Sequence, residues 1–328
     1  MKAIMWTAYG PPDVLQLREV EKPVPKDNQV LIRIFATTVT AGDSEIRDLK
    51  LPIYFSLPIR IWVGLRKPSR KTIPGTELAG EIVSVGKDVT LLKEGDQVFG
   101  SSGLNFGANA EYICLPEGAV AAKPSNMTYE EAAAVPFGGR DALHFLRKGN
   151  VRSGQKILIN GAGGSIGTFA VQLAKVLGAE VTAVDSGEKL EMLRSIGAEQ
   201  VIDYTVEDFT ENGEIYDVIF DVIGKVSLSH SRKSLRENGT YLLANPGMSQ
   251  LLRGLWIRMT TSTKVVTQAA NATADELVFL RELIEAGKIE TVIDRTYSLE
   301  QIADAHRYVE TGQKQGNVVI TVKHDSKT

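Results

Sequence analysis

The chain has 328 residues with a formal net charge of −3 at pH 7, and 43% of them are hydrophobic, which is typical of a globular protein. The length allows two domains, and the nearly balanced charge gives no reason to expect nucleic acid as a partner. A single cysteine, Cys114, excludes an intrachain disulfide and fits a reducing compartment, and the first residues lack the apolar run of a signal peptide, so we expect a cytoplasmic protein.

Short β-rich runs broken by turn residues occupy the chain from its start to about Lys123. Breakers such as Gly10-Pro11-Pro12 and Glu94-Gly95-Asp96 separate the runs. Strands are predicted at residues 14–20, 30–39, 81–85, 96–99 and 111–115. We therefore expect a mostly β domain in this part of the chain.

Helices that alternate with strands are predicted after this point. Three pairs have the spacing of a helix capping box: Thr128 with Glu131, Thr273 with Glu276, and Ser298 with Gln301. Strands are predicted at residues 157–160, 181–184, 200–203, 218–221 and 241–244. Alternation of this kind predicts a doubly wound parallel sheet. A last strand, 317–322, is expected to return to the sheet of the first domain.

A glycine-rich turn joins the first of these strands to a helix. The spacing Gly161-x-x-Gly164-x-x-Gly167 is a variant of the dinucleotide-binding pattern G-x-G-x-x-G, which would need a glycine at Ile166. Glycines let the backbone turn sharply and approach a pyrophosphate, and the helix N-terminus offers N–H groups to the phosphates. The alternative is a glycine-rich turn in an unrelated α/β domain. The candidate cofactor-binding residues here are Gly161, Gly163, Gly164, Ser165, Ile166 and Gly167.

The chain resembles a known family at several stretches. They are residues 74–81 (PGTELAGE), 95–100 (GDQVFG), 110–112 (AEY), 130–136 (EEAAAVP), the glycine turn with its helix, and 197–204 (GAEQVIDY). Over nearly its full length it is similar to medium-chain dehydrogenases/reductases of the zinc-independent, quinone oxidoreductase-like branch. The resemblance implies an α/β protein with a GroES-like β-rich catalytic domain at 1–123 and 267–328. It also implies a Rossmann domain with a doubly wound parallel sheet at 124–266, and a substrate cleft with NAD(P)H lying across it.

A zinc site of the family is expected to be missing. Zinc-dependent members place a His ligand in a Gly-His-Glu motif, which reads Gly75-Thr76-Glu77 here. With one cysteine and four scattered histidines, we expect no bound metal. Oxidation of an alcohol then loses its usual Lewis acid. A quinone or an α,β-unsaturated carbonyl is the expected substrate, because hydride adds to carbon and the resulting enolate needs only a hydrogen bond and a proton.

Residues near the ends of the next two strands bear on the choice of cofactor. Asp185 ends a strand about twenty positions beyond the turn, where a carboxylate that binds the ribose 2′-OH favours NAD. The resemblance to NADP-using quinone reductases implies instead that Lys189 and Tyr204 face a 2′-phosphate. Ser186 is included with them, and Lys314 is a further candidate. Lys189 could equally be an ordinary helix residue and Asp185 a turn or cap residue, so NADP is favoured and NAD stays open.

Candidate catalytic and substrate-contacting residues lie on both sides of the glycine turn. By resemblance, Thr40 stands where the family usually has Asn and could donate a hydrogen bond to the nicotinamide ribose or the substrate oxygen. Asp43 matches a family Asp and could equally cap a helix. Phe137 is a candidate substrate contact. Asn245 follows a strand at its carboxyl end, where doubly wound sheets bind ligands, so we expect it to touch the nicotinamide.

An apolar and aromatic segment at residues 51–65 is followed by four basic residues. The favoured interpretation is a loop over the active-site cleft, with Tyr54, Phe55 and Trp62 lining a pocket for a bulky substrate. The other interpretation is a weak peripheral membrane contact through 51–71, with the basic residues at the headgroups. The two prolines and the shortness of the run exclude a spanning helix.

The leading functional hypothesis is an NAD(P)H-dependent reductase that acts on a small organic acceptor. One alternative is a non-catalytic NAD(P)H-binding protein with a structural or regulatory role, since this branch resembles proteins recruited as lens crystallins and single-strand RNA binders. An alcohol dehydrogenase is the other alternative. We also expect a homodimer, which the resemblance to the family implies, and residues 263–267 could add an edge strand to a partner's sheet across a two-fold axis.

Overall fold

A computed structural model describes residues 1–51, 53–70, 72–224, 226–267 and 274–324. The chain divides into two compact units. The first unit comprises Met1–Phe137, Ala272–Glu285 and Thr291–Thr328, and the second comprises Gly138–Asn271 and Ala286–Glu290. No helix in the described ranges is long and apolar enough to cross a membrane.

The first unit is mostly β. Numbered along the whole chain, its strands are β1 (Lys2–Trp6), β2 (Leu15–Glu19), β3 (Gln29–Val39), β4 (Glu77–Val85), β5 (Gln97–Ser101), β6 (Tyr112–Pro116), β7 (Val120–Ala122), β14 (Ile293–Ser298) and β15 (Asn317–Thr321). Its helices are α1 (Ala41–Asp48), α2 (Ile53–Val63), α3 (Tyr129–Ala133), α9 (Ala274–Glu285) and α10 (Ile302–Glu310). A seven-stranded sheet has the order β14-β15-β3-β4-β5-β7, with β6 also paired to β3.

Strand β3 is the centre of this sheet. Its alternate residues Val30, Ile32 and Ile34 are fully buried in the core of the unit, as the two-residue period of a strand requires. Strand β15 pairs antiparallel with β3, so the last strand returns to the first sheet as the sequence predicts.

The second unit is a doubly wound α/β fold. Its strands are β8 (Lys156–Asn160), β9 (Glu180–Asp185), β10 (Gln200–Asp203), β11 (Tyr216–Asp221), β12 (Leu235–Leu243) and β13 (Lys264–Val266). Its helices are most of α4 (Pro136–Gly149), α5 (Ser165–Val176), α6 (Leu190–Ser195), α7 (Leu228–Ser231) and α8 (Met248–Thr260). The strand order β10-β9-β8-β11-β12-β13 is parallel throughout. The order reverses between β8 and β11, and the predicted fold class is confirmed.

Local signals succeed at helix starts and fail at one segment. The capping boxes at Thr128 and Ser298 are confirmed, while Thr273 lies outside the described residues. The loop predicted for 51–65 is wrong, because residues Ile53–Val63 form α2 with Pro58 inside it. Burial of an apolar face outweighs the backbone hydrogen bond that Pro58 cannot make.

The edge strand β13 carries our prediction of a homodimer. It pairs only with β12 among the described strands, so one side of its backbone faces away from its own sheet. Such an edge is satisfied when the same strand of a second copy pairs with it across a two-fold axis. We expect light scattering at micromolar concentration to give twice the monomer mass, and a monomeric mass would contradict this prediction.

Candidate cofactor site

The glycine turn presents backbone rather than side chains at the start of α5. Gly161 has φ 83°, a conformation that glycine adopts readily, and a Cβ on Gly167 would lie 2.3 Å from the Gly161 carbonyl oxygen. Gly164 is the N-cap of α5, and no side chain caps it. The residues Gly164 and Ser165 are half-exposed, whereas the rest of the turn is buried. The turn therefore offers an accessible helix N-terminus, which suits a phosphate group.

A buried ion pair lies beside the turn at the end of β9. The carboxylate of Asp185 accepts hydrogen bonds from the N–H of Gly163 at 2.7 Å and of Ser186 at 2.9 Å. Lys189 places its Nζ 3.0 Å from Asp185 Oδ1, and both residues are more than nine-tenths buried. The backbone N–H of Tyr204 donates to the Asp185 carbonyl oxygen at 3.2 Å. The structure thus gathers four of the predicted cofactor residues next to the turn.

A side chain at position 163 would collide with this ion pair. A Cβ at this position would lie 2.5 Å from Lys189 Cδ and 2.9 Å from Asp185 Oδ2. The stem of the lysine therefore packs directly on the glycine backbone. The sequence predicted glycines for close approach of a cofactor, whereas the structure shows that this one also makes room for a side chain.

Asn245 lies at the same edge of the sheet. It is exposed just after β12, and its Nδ2 donates to the carbonyl oxygen of Val222 at 2.8 Å. The turn follows β8, Asp185 ends β9, and Tyr204 follows β10, so the predicted cofactor residues share the carboxyl edge of one parallel sheet. Lys314 belongs to the first unit, where it is buried and donates to the carbonyl oxygen of Gly316 at 2.5 Å.

Sequence reasoning missed a buried carboxylate at the point where the strand order reverses. Asp221 ends β11 and is fully buried. It accepts hydrogen bonds from Asn160 Nδ2 at 3.0 Å, the Gly224 N–H at 2.9 Å and the Tyr241 hydroxyl at 3.1 Å. Burial raises the pKa of Asp221, and these hydrogen bonds oppose that shift. Asn160 is the last residue before the glycine turn. Its hydrogen bond to Asp221 therefore anchors the start of the turn to strand β11.

The candidate catalytic residues form a helix cap in the first unit. Thr40 Oγ1 donates to Asp43 Oδ2 at 2.7 Å and accepts from the Asp43 N–H at 3.1 Å, which makes a capping box at the start of α1. Both residues are buried, and burial raises the pKa of Asp43. The arrangement gives Thr40 and Asp43 a structural role, and their predicted catalytic role stays a prediction.

A second carboxylate in the first unit was not predicted as a site residue. Glu77, in the Gly75-Thr76-Glu77 motif, is buried and accepts hydrogen bonds from Thr38 Oγ1 at 2.5 Å and from the Phe137 N–H at 2.6 Å. The motif itself was the available signal. The backbone of Phe137, a predicted substrate contact, is therefore held by Glu77, and its side chain is half-buried.

The remaining predicted substrate contacts lie on α2. The Trp62 side chain is half-exposed, and its Nε1 donates to the carbonyl oxygen of Leu104 at 2.9 Å. Tyr54 and Phe55 belong to the same helix, but their side chains lie outside the described part of the structure.

Comparison with known proteins identifies the family. The sequence model of the alcohol dehydrogenase GroES-like domain matches residues 26–125, and that of the zinc-binding dehydrogenases matches residues 196–320. A 2-methylene-furan-3-one reductase of Solanum lycopersicum is 35% identical, with the alignment covering 98% of this chain and 79% of the reductase. The chain belongs to the quinone oxidoreductase-like medium-chain dehydrogenases/reductases.

Two further likenesses agree with this family. A chloroplastic NADPH-dependent alkenal/one oxidoreductase of Arabidopsis thaliana is 34% identical, with 98% of this chain and 79% of that protein covered. The solved quinone oxidoreductase of Coxiella burnetii superimposes with a TM-score of 0.87 at 28% identity, covering 98% of this chain and 99% of that one. The family predicted from the sequence is confirmed.

The reductase has no evident set of metal ligands in the described ranges. They contain no group of three or more His, Cys, Asp or Glu residues that could hold a metal ion. Cys114 is half-buried in β6, opposite Leu31 of β3, and burial raises the pKa of its thiol to about 11. A thiol of that pKa stays protonated at neutral pH and is a poor zinc ligand.

We therefore predict that the purified reductase binds no stoichiometric zinc, even though one matching domain model is named for zinc-binding dehydrogenases. The physical reason is that Thr76 replaces the family's ligand His and that one cysteine cannot complete a thiolate site. Elemental analysis after dialysis measures this directly. About one tightly held zinc per chain would contradict the prediction and restore an alcohol dehydrogenase.

A buried histidine supports α1, the helix that Thr40 and Asp43 begin. Ser44 Oγ lies 3.0 Å from His306 Nδ1 of α10, and both residues are buried. Burial, together with the smaller effect of the positive charge of Arg47 on α1, lowers the pKa of His306 to about 3. Arg47 in turn pairs with Glu310 of α10.

This histidine should make the reductase sensitive to acid. In the unfolded chain a histidine binds a proton below about pH 6.5, whereas folded His306 stays neutral down to about pH 3. The contribution of His306 to the free energy of unfolding is therefore fully present above about pH 6.5. It falls as the pH decreases towards 3, by up to about 1.4 kcal/mol per pH unit. In denaturant unfolding at several pH values, the free energy of unfolding of His306→Gln should fall less in acid than that of the wild type. The control His230→Gln, at an exposed position, should lose as much as the wild type does. Equal acid dependence in all three proteins would exclude this origin.

Proposed function

We propose that this protein is an NAD(P)H-dependent reductase that transfers a hydride to a quinone or to the β-carbon of an α,β-unsaturated carbonyl. The observation that carries the proposal is the accessible glycine turn at the N-terminus of α5, placed at the carboxyl edge of a doubly wound sheet. The two relatives described above are named a 2-methylene-furan-3-one reductase and an NADPH-dependent alkenal/one oxidoreductase, so both names refer to unsaturated carbonyl compounds. The activity predicted from the sequence agrees with them.

The residues of the turn suit a dinucleotide. The backbone N–H groups at the start of α5 would hold the pyrophosphate, since Gly164 adds no side chain there and a Cβ at that position would have no atom closer than 3.8 Å. Asn245 at the end of β12 would contact the nicotinamide. When bound, NAD(P)H supplies the hydride.

On the substrate side, the reaction needs a hydrogen-bond donor rather than a metal. Addition of a hydride to carbon leaves negative charge on the acceptor oxygen. A hydrogen bond stabilises this charge, and a proton taken from water completes the reduction. Thr40 is the candidate donor; its hydroxyl would have to exchange its bond to Asp43 for one to the substrate oxygen. The proposal therefore includes no Lewis acid.

We further propose that NADPH is the preferred cofactor, with NADH used less well. Lys189 supplies a cation beside the end of β9, and Tyr204 is exposed after β10, close to the position of an adenosine ribose in this fold. Asp185 opposes this preference because a carboxylate repels a 2′-phosphate. Its hydrogen bonds to the turn and its pairing with Lys189 reduce that repulsion.

Oxidation of NADPH and NADH, followed against a panel of quinones, enones and alkenals, tests the proposal. We expect turnover with activated acceptors, and faster turnover with NADPH than with NADH. We expect no reduction of simple ketones and no oxidation of primary alcohols. Cofactor binding without turnover on any acceptor would favour the non-catalytic alternative. Turnover of alcohols would favour an alcohol dehydrogenase.

A further inference from the structure

Helix α2 is apolar on two opposite faces. Ile59 and Val63 lie four residues apart and pack against the core of the first unit. Leu57 and Ile61 lie on the opposite side, each with 54% of its surface exposed. A surface helix of a globular protein normally turns polar residues outward, but Arg60 is the single charged residue of α2.

The apolar surface continues beyond the helix. Leu65 and Leu104 are 62% and 66% exposed, and Trp62 is 49% exposed. The hydrogen bond from Trp62 Nε1 to the Leu104 carbonyl oxygen fixes the indole beside that leucine. We call residues 57–70 together with Leu104 the α2 surface. Large apolar side chains gathered at one exposed place mark a binding surface.

The same segment carries an unusual concentration of positive charge. No Asp or Glu occurs between Asp48 and Glu77, although the whole chain has a net charge of −3. Six basic residues lie in that interval: Lys50, Arg60, Arg66, Lys67, Arg70 and Lys71. The four that belong to the α2 surface are all exposed. Apolar and cationic groups therefore share one surface, with no acidic group between them in sequence.

We propose that the α2 surface docks onto a lipid bilayer that contains anionic lipid. The exposed apolar side chains would enter the boundary between headgroups and acyl chains, while the basic residues contact the headgroup phosphates. The helix would lie in the plane of the bilayer. Trp62 suits that boundary because its ring is apolar and its N–H is polar.

A bilayer fits this surface better than a protein partner does. Residues 49–76 contain no Asp, Glu, Asn or Gln, so the segment offers a protein partner no side-chain carboxylate or amide as a hydrogen-bond acceptor and no negative charge for an ion pair. Lipid headgroups require only positive charge, and acyl chains require only apolar area. Docking would also bring the reductase to the place where lipid-soluble quinones and enones accumulate.

Vesicle sedimentation with the full-length protein tests the charge contribution. We expect the protein to bind vesicles of phosphatidylcholine mixed with phosphatidylglycerol and not vesicles of phosphatidylcholine alone, and to be released by salt. Arg66→Glu with Lys67→Glu should weaken binding by at least about tenfold. The matched control is Arg232→Glu with Lys233→Glu, another adjacent and exposed pair with the same change in charge. Equal losses in the two double variants, or no binding to the anionic vesicles at low salt, would overturn the proposal.

Tryptophan quenching tests the location. Of the three tryptophans, Trp6 is buried and Trp256 is 64% exposed on α8, so Trp256→Phe leaves Trp62 as the exposed reporter. We expect brominated lipid in anionic vesicles to quench the tryptophan fluorescence of this variant. Sedimentation with vesicles but no quenching would place the contact elsewhere and refute the α2 surface. We expect the Arg66→Glu, Lys67→Glu variant to turn over a water-soluble quinone as the wild type does when no vesicles are present. This measurement tests the reductase activity independently of membrane docking.

Discussion

Replacing Gly164 with valine is expected to weaken the binding of NADPH and NADH by about tenfold to a hundredfold while the protein stays folded. Gly164 has φ −90° and ψ −178°, which valine adopts without strain, and its missing side chain would have no neighbour within 3.8 Å. A valine there occupies the space over the N-terminus of α5 that a pyrophosphate needs. Fluorescence titration with each cofactor measures the affinity, and thermal unfolding measures the stability.

Two other glycines provide controls for this variant. A side chain on Gly167 would meet backbone atoms of Gly161 and Ala162 within 2.5 Å, so Gly167→Val should reduce the stability of the fold as well as the binding. Gly118 has open space around its missing side chain and lies in the first unit, so Gly118→Val should change neither quantity. If Gly164→Val bound both cofactors as the wild type does, the turn would not be a cofactor site.

The sequence predicted the features of the candidate cofactor site that depend on neighbouring residues. Strand ends, the glycine turn and the capping boxes are local patterns, and the carboxyl edge of a parallel sheet follows from strand alternation. For this reason Asp185 and Asn245 could be placed at strand ends before the structure was known, whereas Tyr204 was assigned from the resemblance to the family. The interactions made there could not be assigned, because the bond from Gly163 to Asp185 and the pair with Lys189 depend on rotamers.

Contacts between residues far apart in the chain explain what the sequence left open. Glu77 and Thr38 are brought together by the pairing of β3 with β4, and His306 reaches Ser44 across 262 positions of sequence. Helix α2 was missed for another reason. Its apolar residues face both the core and the solvent, so the periodicity that normally indicates a helix is absent, and Pro58 favours a loop.

Lys189→Ala is expected to shift the cofactor preference towards NADH. If the lysine holds the 2′-phosphate, its loss removes one charge-assisted contact, about 1.5–3 kcal/mol, from NADPH and little from NADH. The structure adds a second effect. The lysine is the counter-ion of the buried Asp185 carboxylate, so the variant also leaves that negative charge unpaired near the phosphate. The ratio of the two dissociation constants isolates the preference, since a general loss of stability weakens both cofactors.

Two conservative variants separate charge from packing. Lys189→Met keeps an aliphatic stem against Gly163 and removes the charge, so it should shift the ratio as Lys189→Ala does while preserving more of the stability. Lys189→Arg should keep a preference for NADPH. If Lys189→Met bound both cofactors as the wild type does, the lysine would only support the start of α6.

Asp185→Ser is expected to act in the opposite direction. The carboxylate can accept the 2′-OH of NADH but repels a phosphate, so its removal should raise the relative affinity for NADPH. A serine hydroxyl can still accept a hydrogen bond, so the contact with the Gly163 N–H need not be lost. Dissociation constants for both cofactors in both single variants decide the matter. Equal losses for NADH and NADPH in Lys189→Ala would mean that the lysine does not hold the phosphate and that Asp185 sets a preference for NAD. An unchanged ratio of the two dissociation constants in Asp185→Ser would contradict the prediction for this residue.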